Sequence, residues 1–130
     1  YTAPRTGFVA DFIGVSNLLD CRVVSAAEGL VAWDGVRLRV DGLGAADGER
    51  VLVAVRPEKL RLAGEGAAVN RLDGVLEVVT FLGAVVRLEV VVQGRSLWVD
   101  VPLAAARGLE RRKPVALAFA PGDCVVVRKG

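Results

Sequence analysis

Histidine and methionine are absent from the 130 residues, cysteine occurs twice, and aromatic residues make up only 5%. Without histidine the chain has no imidazole to serve as a general base, to activate a Ser or Cys nucleophile, or to ligate a metal. Most familiar hydrolase and zinc chemistries are thereby excluded. Neither sign of charge dominates: 17 Lys+Arg against 15 Asp+Glu leave a net charge of +2, a weak field toward nucleic-acid phosphates or anionic lipid. Long apolar runs are missing too. The longest charge-free stretches, Val78 to Val86 and Pro114 to Gly122, are nine residues each, against about 18 for a membrane-spanning helix. There is no Gly-x-x-x-x-Gly-Lys-Ser/Thr, no Gly-x-Gly-x-x-Gly opening a helix, no CxxC and no HExxH. The usual phosphate cradles and metal-ligand spacings are therefore absent. Cys21 and Cys124 stand 103 positions apart in no ligand spacing, and read as two buried thiols, with a disulfide as the alternative.

What is present is apolar and β-forming: 53% of the residues are hydrophobic, and valine is prominent among them, which suits a pleated, half-buried surface. Val36, Leu38 and Val40 alternate with Arg37 and Arg39, and Val86, Leu88 and Val90 alternate with Arg87 and Glu89. Such alternation predicts strands with one face in a core and the other in water. Further strands are expected at Leu18–Val24, Leu30–Trp33, Val51–Val55, Val75–Phe81, Ser96–Val101, Val115–Phe119 and Cys124–Arg128, with turns at Asp34-Gly35 and Gln93-Gly94. Thr6 to Ile13 reads as a short helix, with Thr6 as N-cap, Phe8/Phe12 and Val9/Ile13 at i,i+4, and Gly14 closing it. Leu103 to Leu109, after Pro102, is the other candidate helical turn.

Three echoes run in the same order along the chain. Phe12-Ile13-Gly14 returns as Phe81-Leu82-Gly83; the Gly-x-x-Leu-x-Val-Asp of Gly35–Asp41 returns at Gly94–Asp100; the apolar strand Val51–Val55, followed by Pro57, returns as Val115–Phe119, followed by Pro121. Their offsets are 69, 59 and 64 residues. The order predicts an internal duplication whose halves, each too small for a good core alone, combine as OB-like units. The expected fold is all-β.

Candidate site residues are few. Pro57 ends a strand and forces Arg56 to be extended, so Arg56 and Glu58 project to one side. They either pair with each other or meet a partner surface, where a guanidinium fork gives specificity. Asn17 either holds the turn into the first strand or lines a ligand groove. Arg111-Arg112-Lys113 reads as a solvated loop, with anion or lipid contact as the alternative. Trp33 and Trp98 read as core or rim packing, since a base-stacking platform needs several aromatics on one face. Nothing points to nucleic acid as a partner.

Phe8-Val9-Ala10-Asp11-Phe12-Ile13-Gly14 with Asn17-Leu18-Leu19, then Val55-Arg56-Pro57-Glu58, then Leu72-Asp73-Gly74-Val75 with Phe81-Leu82-Gly83, resemble the C-terminal TOBE (transport-associated OB) region of ATP-binding subunits of ABC importers, the spermidine/putrescine and ferric-iron types in particular. The resemblance implies tandem OB-like (MOP-like) β-barrel units with a short N-terminal helix. Residues 1–14 would form the linker and helix leaving an upstream ATPase domain. Residues 15–130 would form the TOBE domain, in two units of about 15–70 and 71–130, side by side or interleaved. The resemblance further implies a regulatory and dimerisation role, not catalytic by itself, with no catalytic, cofactor or metal residue in this chain. ATP and Mg would be bound by the upstream domain. The implied partners are that ATPase domain, a second ATP-binding subunit, membrane permease subunits and a small regulatory ligand, at the cytoplasmic side of the membrane. The family's Arg-Pro-Glu falls on Arg56 and Glu58, and its early Asn on Asn17. The FVADFIG form favours a polyamine cargo. The alternative is a tandem-barrel protein that binds an oxyanion such as molybdate.

Overall fold

In the computed structural model the described residues are 16–63 and 69–127. They form ten β-strands: β1 (Asn17–Ser25), β2 (Leu30–Trp33), β3 (Val36–Arg39), β4 (Arg50–Val55), β5 (Arg61–Leu62), β6 (Asn70–Phe81), β7 (Val85–Val92), β8 (Arg95–Pro102), β9 (Pro114–Phe119) and β10 (Cys124–Val127). Short 3₁₀ turns follow β4 (Pro57–Lys59), β8 (Leu103–Ala106) and β9 (Pro121–Asp123). The second of these occupies the expected helical turn. The helix expected over Thr6–Ile13 lies outside the described residues.

The strands make two antiparallel five-stranded sheets, ordered β10–β4–β1–β2–β3 and β5–β9–β6–β7–β8. Within each sheet the order is fifth, fourth, first, second, third strand, the OB sequence of neighbours left open between third and fifth. The fold is all-β with two OB-like units. Each sheet belongs to one compact unit: the described residues up to Arg56 together with those from Pro121 form the first, and those of Pro57–Ala120 form the second. The division therefore falls at Arg56/Pro57 and Ala120/Pro121, where the sequence suggested a cut near residue 70. The reason lies in the fifth strands. The chain leaves β4 through Pro57 to give β5 to the second sheet, and leaves β9 through Pro121 to give β10 to the first.

The two units repeat each other in register. Asn17 pairs with Val55 as Asn70 pairs with Phe119, and Val125 pairs with Ala54 as Arg61 pairs with Ala118. The first strand of each carries the same bulge, between Val23 and Ser25 and between Leu76 and Val78. A returning loop fills both bulges: Gly48 N donates to Val23 O and Val23 N to Glu49 O, while Arg112 N donates to Leu76 O and Leu76 N to Lys113 O. Second and third strands are joined in both units by two residues at positive φ, Asp34-Gly35 (46° and 84°) and Gln93-Gly94 (52° and 76°), the hairpin turn whose twist suits the strands.

This equivalence corrects one of the three echoes. The first strands start at Asn17 and Asn70, 53 positions apart, and Phe81-Leu82-Gly83 lies at the far end of β6, so it is no counterpart of a segment preceding β1. The true echo is Asn17-Leu18-Leu19-Asp20 and Asn70-Arg71-Leu72-Asp73. The other two hold.

Alternation decides the cores. Leu19, Cys21 and Val23 of β1 point inward with Val31, Trp33 and Leu38. In the second unit Leu72, Leu76, Leu88, Val90, Leu97, Val99 and Leu117 are buried. Each fully buried Leu or Val contributes about 1.5–3 kcal/mol, which is what holds units this small together.

Candidate functional site

Among the described residues the second unit departs from its twin at the β6–β7 hairpin. Beyond the bulge, β6 and β7 continue for three further residues each, Val79–Phe81 and Val86–Leu88, where β1 and β2 have already turned at Ser25↔Leu30. On this extension Thr80, Arg87 and Asp100 stand side by side across β6, β7 and β8. Arg87 meets Asp100 as a fork, Nε donating to Oδ1 at 2.8 Å and an Nη to Oδ2 at 2.9 Å. The guanidinium carbon also sits 4.8 Å from the centre of the Trp98 ring, a cation–π distance. The bond to Asp100, above all, holds the guanidinium pKa above its usual value, and the charges of Asp100 and Glu58 add to this while burial opposes it.

Glu58 lies in the Pro57–Lys59 turn, which packs against β8. It is exposed, whereas Pro57 is buried and Arg56 half-buried. Glu58 is thus brought into the electrostatic surroundings of Arg87. Arg56 and Glu58 fall on either side of the boundary between units.

Asn17 is 8% exposed and opens β1 opposite Val55. Its equivalent Asn70, 0% exposed, opens β6 opposite Phe119. Among the described residues no buried side-chain nitrogen or oxygen lacks a hydrogen-bond partner, so both amides are satisfied inside the protein. Asn17 thus opens β1 as Asn70 opens β6. Asn70 was missed from the sequence, although the shared Asn-x-Leu-Asp signalled it.

Trp33 is core, at 1% exposed, while Trp98 is 41% exposed beneath Arg87. Cys21 and Cys124 are both free and buried. Burial, foremost, pushes the Cys21 thiol up to about 12, with Asp20 and Cys124 adding to it. The same cause, helped by Asp123 and Asp41, pushes Cys124 up to about 11. Neither is a thiolate at neutral pH, so neither has nucleophilic character. Arg111 belongs to the loop that fills the β6 bulge, its Nε donating to Glu77 O at 2.8 Å. Among the described residues no group of three or more His, Cys, Asp or Glu is placed to hold a metal ion, and no helix is long and apolar enough to cross a membrane.

Two OB-like units that exchange their fifth strands, the second bearing the Arg87–Asp100–Trp98 cluster, define a duplicated β module. The TOBE domain model matches residues 53–127, and the chain belongs to that family. It is 46% identical over 74 residues to the spermidine/putrescine import ATP-binding protein of Pseudomonas aeruginosa strain UCBPP-PA14, an alignment covering 48% of this chain and 18% of that protein. It is 34% identical over 121 residues to an Fe(3+) ions import ATP-binding protein of Rhizobium meliloti, covering 92% of this chain and 33% of that one. The chain thus spans a third or less of the length of these curated relatives. A solved structure of the cytoplasmic molybdate-binding protein ModG, with molybdate bound, matches with a TM-score of 0.77 at 16% identity, over 87% of this chain and 96% of that one. At that identity the likeness is one of fold.

Proposed function

We propose that this chain is the accessory domain of the ATP-binding subunit of an ABC-type importer, regulatory and dimerising, and without ATPase activity of its own. The observation that carries this reading is the family match over residues 53–127 joined to relatives that are themselves import ATP-binding proteins. In this reading ATP and Mg are bound by an upstream ATPase domain. The whole subunit pairs with a second copy and with permease subunits on the cytoplasmic side of the membrane. Arg56 and Glu58, where the chain crosses from one sheet to the other, are assigned to the regulatory contact, and a small ligand is its input. Asn17 supports that crossing from the start of β1.

The cargo proposed is a polyamine, supported by the 46% identity to the spermidine/putrescine relative; the ferric relative aligns over more of the chain at lower identity. Uptake of labelled spermidine and of ferric iron by cells lacking the parent gene separates the two. Loss of spermidine uptake alone is expected, and loss of iron uptake alone reassigns the cargo. The purified parent is expected to hydrolyse ATP, while residues 1–130 alone release no phosphate. A parent without ATPase activity overturns the reading.

A second reading, an oxyanion-binding protein, draws on the fold shared with the molybdate-bound structure. Calorimetry with molybdate, tungstate and sulfate tests it. Saturable heat supports it, and no heat with any of the three removes it.

A further inference from the structure

We infer that residues 6–13 dock as a helix on the outer face of the first sheet, over an apolar patch made by β1, β4 and β10.

Duplication exposes the patch. On the face turned away from buried Leu19, Cys21 and Val53, Leu18 and Val125 flank Ala54 in one row, and Leu52 lies between Asp20 and Val127 in the next. In the second unit the equivalent row is Arg71, Ala118 and Arg61. The next is Asp73, Ala116 and Ala63, whose N–H donates to Ala116 O. Four positions that are charged or small in one unit therefore carry Leu or Val in the other. The OB-like frame closes without those side chains, so its core does not account for them. Leu18 is 40% exposed and Val125 47%, while Leu52 and Val127 are half-buried. Facing and alternate positions of paired strands are neighbours on one face, and adjacent apolar exposure of this kind marks a contact surface. Further along β1 the face turns polar: Asp20 pairs with Arg50 at 3.5 Å, and Arg22 stands opposite Arg50.

Chain position selects the occupant. Residues 1–15 lie outside the described part and lead directly into β1, at the end of the sheet where the patch sits. Leu18 follows Ile13 by only five positions. Phe8, Val9, Phe12 and Ile13 make one stripe of a helix and Asp11 falls on the other side. Two turns of helix do not hold in water unless that stripe is buried. Size agrees as well. Eight helical residues are about 12 Å long, and the three strands to be covered span about 10 Å. The three joining residues, Gly14 to Ser16, reach about 10 Å, enough to fold the helix back onto Leu18.

Nuclear Overhauser contacts in residues 1–130 test the docking. The Phe8 and Phe12 rings are expected to contact methyls of Leu18, Leu52 and Val125. Amides of residues 9–13 are expected to exchange at least tenfold more slowly than in a free peptide of residues 1–15. The double variant Leu18→Arg, Val125→Arg gives the first unit the pair that its twin already carries. It is expected to abolish the ring contacts and restore fast exchange while the strand amides stay dispersed. Phe12→Ser makes the same test without altering the sheet. Absence of ring–methyl contacts in the unchanged chain overturns the docking, as does protection of residues 9–13 that survives in both variants. Contacts seen only between differently labelled copies in a mixed sample overturn it too, because the occupant is then a second molecule.

Discussion

At Arg112 the duplication exposes a residue at odds with its backbone. It occupies the place that Gly48 holds in the first unit, giving the same bond into the bulge, and both have positive φ, 67° and 82°. Glycine takes that conformation freely, whereas a side chain costs about 1–2 kcal/mol. Arg112→Gly is therefore expected to raise stability by about 0.5–1 kcal/mol after the entropy that glycine adds to the unfolded chain, measured by urea unfolding. The thiols set a pH dependence at the same scale. Cys21 and Cys124 ionise near 9 when unfolded and only near 12 and 11 when folded. Their contribution is whole below pH 9, and is lost as pH rises from there through the folded values, because the unfolded chain releases its protons first. Urea midpoints are expected to fall from pH 8 to pH 10.5, and Cys21→Ala to reduce the slope. In the native state at pH 8 neither thiol is expected to react quickly with a thiol reagent.

Among the elements, most strands were legible because their faces alternate and valine fills the inner one. Two were misread for physical reasons. β5 has two residues, too few for any period to show, and its partner β9 alone defines it. β6, expected only from Val75, runs from Asn70 straight through Asp73-Gly74. Gly74 serves there as a close-approach residue: a Cβ would lie 2.5 Å from Val91 O and 2.7 Å from a Val92 methyl. A glycine inside a strand marks such an approach. Gly74→Ala is expected to cost about 2–3 kcal/mol, as an overpacked core does, seen as a lower melting temperature with the β circular dichroism retained. The same substitution at exposed Gly83, which has nothing within 4 Å, carries no such clash but sits at φ 100°, so its cost comes from backbone strain and is smaller.

For the whole molecule the exchange of fifth strands makes the units unequal as fragments. Pro57–Ala120 carries all five strands of its sheet in one continuous piece, whereas the first sheet needs β10 from the far end of the chain. Residues 57–120 expressed alone are expected to give a dispersed amide spectrum and a cooperative melt, although a 64-residue unit has modest stability. Residues 1–56 alone are expected to stay unfolded until a peptide of residues 121–130 is added. A folded 1–56 fragment, or an unfolded 57–120, contradicts this account. Sequence by itself determined the all-β class, the duplication, the family and the lack of imidazole chemistry, because alternation, repeats and composition are local or additive properties. Tertiary structure decided which sheet receives β5 and β10, that the turn carrying Glu58 packs against β8, that Asn17 has a buried twin, and that the second hairpin outgrows the first. Those facts depend on which distant strands pair and where their registers stop, and no local pattern encodes that.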